Sequence, residues 1–138
     1  NKFRMKFDYI FMIDVFLFLF DKKFQKDLFK NKITIMKNIK KFLKKNGKLL
    51  ICDPHIFWLV PQLGSKSNPY GIITEYRNKY FSSIETISNI SNLFYEAGFL
   101  IERIYEPEIS LNYKKINQRT FNFYNQFPQW IVYEIVQR

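Results

Sequence analysis

Cysteine occurs once in this sequence, as Cys52, and histidine once, as His55. A single thiol excludes an internal disulfide framework and points to a reducing compartment, most simply the cytoplasm. One histidine with no Cys or carboxylate cluster beside it leaves no metal-ligand set, so no bound metal is expected. No apolar run is long enough to cross a bilayer. The longest, Tyr9 to Phe20, is broken by Asp14, and a spanning helix needs roughly 20 residues. No signal peptide, internal repeat or low-complexity tract stands out. Glycine is scarce as well, with four in 138 residues and no two separated by a single residue. A G-x-G loop of the kind that cradles a nucleotide cofactor therefore has no place in it.

Hydrophobic residues make up 47% of the chain, enough for a core, and the length suits one domain. The net charge of +10 is local. Lys22–Lys48 carries eleven Lys against one Asp, and the remainder balances at eleven basic and eleven acidic residues. Lys outnumbers Arg 17 to 5, which reads as a compositional bias that places Lys on solvated faces. A nucleic-acid-binding or modifying module built on Lys22–Lys48 is the competing reading. It would be expected to interleave stacking aromatics with the basic residues, and the Lys face of the helix expected at Ile35–Lys45 carries none.

Periodicity sets out the elements. Phe7–Val15 (FDYIFMIDV) is a near-continuous apolar run, the pattern of a strand covered on both faces. In Ile35–Lys45, Ile35, Met36, Ile39, Phe42 and Leu43 share one helical arc, with lysines opposite. Asn46-Gly47 is expected to end that helix in a left-handed turn, and Lys48–Asp53 is a second strand. Pro54 to Tyr80, with three prolines and two glycines, reads as a long loop of the functional kind. Ser83–Ala97 is a second helix with Ser83 as its expected N-cap. Phe99–Glu106 is a strand closed by Pro107, a polar Asn-rich connection follows, and Trp130–Val136 is the last strand.

Four of these segments, in this order, resemble the class I (Rossmann-like) S-adenosylmethionine-dependent methyltransferases of the small-molecule type. "FDYIFMIDVFLFLFD" is similar to the family's fourth strand and the turn after it. "IKKFLKKNGKLLICDPH" is similar to its helix-turn-strand LKPGGxLLIxDP. "IETISNISNLFYEAGFLIERIYEP" and "FPQWIVYEIVQR" are similar to its late helix-strand and final strand. The resemblance covers nearly the whole chain and matches only the carboxy-terminal half of the family. It implies a single partial domain over 1–138, with the cofactor-binding half and its glycine-rich loop lying elsewhere.

The implied fold is α/β, a mostly parallel sheet with helices on both faces. Its strands should lie in the order Phe7–Val15, Lys48–Asp53, Trp130–Val136, Phe99–Glu106, with Trp130–Val136 inserted antiparallel. The implied activity is methyl transfer from S-adenosylmethionine to a small-molecule acceptor, as part of a longer enzyme. The alternative is a non-catalytic scaffold of the same fold. Little side-chain chemistry is needed, because a sulfonium methyl is already activated and proximity carries much of the rate.

Ile13, Asp14 and Val15, at the end of the first strand, are the expected cofactor contacts. Asp53, His55, Trp58 and Tyr80 are the expected substrate contacts, and Tyr70, Tyr76 and Phe81 add aromatics to the same loop. His55 is the candidate general base if the acceptor must lose a proton. The family often carries an acidic-His pair just after the first of these strands, where this chain reads Phe16-Leu17-Phe18. Cys52, inside an apolar strand, reads as buried and inert.

Overall fold

In a computed structural model, the residues described are 5–16, 19, 28–55 and 86–138. Strand β1 is Phe7–Ile13, helix α1 Leu28–Phe42, β2 Leu43–Pro54, α2 Ile87–Glu96, β3 Phe99–Tyr105, α3 Leu111–Ile116, α4 Gln118–Gln126 and β4 Trp130–Gln137. The expected loop after Pro54, the Ser83 cap, Trp58, Tyr70, Tyr76, Tyr80 and Phe81 all lie outside the described residues.

The four strands form one sheet in the order β1-β2-β4-β3. β1 and β2 pair in parallel, with Ile10 opposite Leu49 and Met12 opposite Ile51. β4 is antiparallel to both neighbours, with Ile51 opposite Tyr133 and Ile101 opposite Ile135. This is the expected order, with the last strand inserted where expected. Three strands run one way, and the insertion of β4 leaves one parallel ladder and two antiparallel ones.

Alternation along the strands builds the core. Leu49 and Ile51 of β2, with Ile131, Tyr133 and Ile135 of β4 and Phe99 of β3, are buried on one face. Met36 from α1 and Ile90, Leu93 and Phe94 from α2 pack into the same cluster, together with Phe16. The Phe94 ring lies 5.3 Å from Phe16 and 6.1 Å, edge-on, from Tyr133. Both α1 and α2 therefore cover a single face. On the opposite face the β1 residues Tyr9, Phe11 and Ile13 are 56%, 62% and 63% exposed, so the helical layer expected there is not met by the described residues.

Several boundaries differ from the sequence pattern for physical reasons. β1 stops at Ile13 because Asp14 turns into the left-handed region, at φ 53°, a conformation Asp tolerates better than most residues. Helix α1 starts and ends earlier than expected. The chain passes from Phe42 directly into β2, so Asn46-Gly47 is part of that strand and not a helix-ending turn. Gly47 is needed for closeness. A Cβ there would sit 2.8 Å from the carbonyl oxygen of Phe7 and 3.1 Å from Leu43 Cδ2. Beside it the β1–β2 register slips, with Phe7 opposite Leu43 and Tyr9 opposite Lys48. The glycine that does adopt a left-handed backbone is Gly98, at φ 83°, which ends α2.

Helix α2 is capped by Thr86, whose hydroxyl accepts from the Asn89 amide at 3.2 Å. The connection read as irregular holds two short helices. Ser110 caps α3, and Asn117 closes α3 while capping α4, its side chain accepting from the Thr120 amide at 2.9 Å.

Candidate active site

The carboxyl ends of β1, β2 and β3 lie along one edge of the sheet, and β4 begins there because it runs the other way. In open α/β sheets this edge faces the ligand crevice. It brings together Asp14 after β1, Asp53 and His55 at the end of β2, Glu106 after β3, and Gln129 before β4. Three ladder spacings separate β1 from β3, roughly 14 Å.

The two ends of this edge differ. At β1, Ile13, Asp14 and Val15 are exposed. Asp14 is still tied to the sheet, its amide donating to the Cys52 carbonyl at 2.8 Å. At β2, Asp53 and His55 are buried. The His55 amide donates to the Gln129 carbonyl at 2.8 Å. The His55 imidazole meets Glu106, with Nε2 3.0 Å from Oε1. Burial holds the imidazole pKa below its ordinary value, and the Glu106 carboxylate opposes that shift by favouring the cation.

Two neighbours respond to the same surroundings. Cys52 is half-buried, not buried as expected; partial burial, with Asp53 and Asp14 nearby, pushes its thiol up, so the protonated form is favoured. Burial, with Asp53 adding, pushes Tyr133 up to about 12. Among the described residues no group of His, Cys, Asp and Glu could hold a metal ion, and no helix is long and apolar enough to cross a membrane.

Of the residues expected from the sequence, Asp14, Asp53 and His55 meet on this edge, with Ile13 and Val15 flanking Asp14. Trp58 and Tyr80 lie outside the described residues. Glu106 was not anticipated. Its signal was Glu106-Pro107, an acidic residue before a proline at a strand end, which repeats Asp53-Pro54.

The basic segment is partly consumed by the fold. Lys40 Nζ donates to the Gly98 carbonyl at 2.6 Å, Lys44 pairs with Asp8 at 2.8 Å, and Lys48 is held between Glu102 and Glu134. These contacts favour the solvated-face reading over a nucleic-acid surface.

No family model matches the sequence, and no curated protein does. Solved structures do. The chain is similar to the mitomycin 7-O-methyltransferase MmcR at 14% identity and a TM-score of 0.58, over 99% of this chain and 31% of that one. It is similar to an S-adenosylmethionine-dependent methyltransferase from Mesorhizobium loti at 13% identity and a TM-score of 0.59, over 98% of this chain and 63% of that one. A third is the plantazolicin methyltransferase BpumL, solved with a triazolic desmethylPZN analog and SAH. There the identity is 14% and the TM-score 0.50, over 100% of this chain and 55% of that one.

The chain shares its fold with part of each of these Rossmann-like methyltransferase structures. It spans less than two thirds of the length of each of these three structures. Phe16 is buried in the core against Phe94, so that position serves packing.

Proposed function

We propose that the chain forms the acceptor-side half of an S-adenosylmethionine-dependent methyltransferase acting on a small molecule, as one partial domain of a longer enzyme. The observation that supports this reading is the inserted antiparallel β4, which places three parallel strand ends, with Asp14, His55 and Glu106, along one edge of a methyltransferase fold. The single cysteine supports a cytoplasmic setting.

The residues present fit one wall of a cofactor site. Ile13, Asp14 and Val15 are exposed at the end of β1, and the left-handed turn at Asp14 frees the chain from the strand direction there. The glycine-rich loop would come from another segment. When bound, S-adenosylmethionine supplies an activated methyl group on a sulfonium. This chain would line the methyl-bearing end with Ile13–Val15, keep water from the acceptor, and place Asp53 and His55 beside it. In-line geometry then supplies much of the acceleration.

Shift mapping by NMR during titration with S-adenosylmethionine tests the placement. In the protein with its preceding segment, perturbations should centre on residues 13–15 and the end of β2. Perturbations centred on Lys37, Lys40, Tyr95 and Arg138, which line an open cavity at the opposite edge, would sink it.

A further inference from the structure

At the edge of the sheet opposite the candidate site, the carboxyl end of α2 borders an open cavity of about 550 Å³. Lys37 and Lys40 of α1, Tyr95 and Glu96 of α2, Gly98 and Arg138 line it. One carbonyl holds two of these residues in place. The Gly98 oxygen accepts from Lys40 Nζ at 2.6 Å and from the Arg138 amide at 3.0 Å. Glycine is what allows the first contact, because a Cβ at position 98 would lie 2.6 Å from Lys40 Nζ and push the ammonium away. The Arg138 guanidinium lies over the Tyr95 ring, 4.3 Å from its centroid, and this stacking restrains it.

The charge of the cavity is unbalanced. Lys44 and Lys48 are ion-paired, but among the described residues Lys37, Lys40 and Arg138 meet no carboxylate. Compensation of the helix end accounts for part of the arrangement, since the carboxyl end of α2 carries about half a negative charge. Glu96 adds one more. The three cations still exceed these by roughly one and a half charges. Donors remain as well. Lys40 spends one of its three N–H groups on Gly98, and the fork of the Arg138 guanidinium matches the spacing of phosphate oxygens.

We propose that this cavity binds the phosphomonoester group of a small organic molecule. Such a group carries about −1.5 to −2 charges at neutral pH, which matches the surplus. A carboxylate or a phosphodiester, with a single charge, leaves part of it unanswered. The volume exceeds the needs of a bare phosphate and falls among small-molecule sites of roughly 300–1,000 Å³, so an organic part fits beside Tyr95. The site is independent of the methyl-transfer reading. The length of β3, roughly 20 Å, separates it from the edge that holds Asp53 and His55. S-adenosylmethionine, whose sulfonium and ammonium outweigh its carboxylate, has the wrong charge for it.

NMR shift mapping at about 0.15 M salt tests this on the 138-residue chain, carrying Phe11→Lys on the far edge strand to keep it dispersed. The probes are phenyl phosphate, inorganic phosphate, benzoate and a single-stranded oligonucleotide. Phenyl phosphate should move the amides of residues 37–40, 95–98 and 138, and bind more tightly than benzoate or inorganic phosphate. Lys37→Gln and Arg138→Gln, both at exposed positions, should each weaken it by on the order of 10-fold. Glu96→Gln should tighten it. Lys41→Gln, on the same helix and outside the cavity, should change it by less than about twofold.

Equal losses from Lys41→Gln and Arg138→Gln would reveal a diffuse basic surface and overturn the site, as would shifts centred elsewhere or none at all. Benzoate binding as tightly as phenyl phosphate would overturn the dianion. Inorganic phosphate binding as tightly would overturn the organic part. An oligonucleotide that displaces phenyl phosphate at this salt would overturn the small-molecule ligand and give the surface to nucleic acid.

Discussion

The two faces of the sheet are made by alternate residues of the same strands, and they end in different conditions. On one face Leu49, Ile51, Tyr133 and Ile135 disappear beneath α1 and α2. On the other, Tyr9, Phe11 and Ile13 stand exposed on β1, beside a cluster of ion-paired residues. In that cluster Lys48 is held between Glu102 and Glu134, and the Tyr105 hydroxyl donates to Glu134 at 2.6 Å. The first face is satisfied by this chain. The second keeps an exposed apolar rim around an internally paired centre.

The comparison can be broken most forcefully in the core. Phe94→Ala should cost about 3–5 kcal/mol, because a fully buried ring leaves a cavity among Phe16 and Tyr133. Phe11→Ala should change stability by roughly 0.5 kcal/mol or less, as exposed positions do. Urea unfolding of both variants decides it, and equal costs would show that the open face is packed after all.

The next effect concerns association. β1 has β2 as its one partner in the described sheet, and an apolar edge strand is a template for pairing with another chain. The segment Tyr9 to Val15 also has an aggregation-prone composition. Size-exclusion chromatography of the 138-residue chain should show aggregation, relieved by Phe11→Lys or by supplying a strand partner for β1. A well-dispersed, stable monomer would favour a self-contained domain.

A smaller effect comes from pH. Hydrogen bonds from Lys48 and then Tyr105 hold the Glu134 carboxyl down at about 2, against an ordinary value of 4.5. A carboxyl whose pKa is depressed by folding stabilises the protein above its unfolded value. Its contribution is therefore full above about pH 4.5 and is lost as pH falls toward 2. Glu134→Gln should flatten that part of the stability–pH curve, measured by thermal melts between those limits. An unchanged slope would show the cluster to be inert.

Much of the sheet was legible because each strand carries its own apolar run. The order of strands came from the resemblance, since nothing in Trp130–Val136 alone says that it inserts between two others. The short helices α3 and α4 were hidden. They are polar, and their boundaries rest on Ser110 and Asn117, residues that suit loops equally well. Asn46-Gly47 has the composition of a turn, and it took the approach of the Phe7 carbonyl to show why glycine is there. Asp14 and His55 could be placed by their strand ends. Glu106 could not be joined to His55, because that contact is made by strands that the inserted β4 keeps apart.

The smallest of the stability effects tests an end of α2. Thr86→Ala should cost about 1 kcal/mol through the lost cap on the Asn89 amide, and Ser83→Ala should cost less, because Thr86 is the cap. Denaturant midpoints of the two variants separate them, and the reverse order would move the start of the helix upstream.

We propose that this chain supplies half of a cofactor site. Titration calorimetry with S-adenosylmethionine, on the 138-residue chain alone and on the same chain joined to a methyltransferase cofactor-binding half, tests it most directly. The account predicts weak or undetectable binding by the chain alone, because it has no G-x-G loop, and clear binding once the two are joined. Low-micromolar binding by the chain alone, or none by the joined protein, would contradict it.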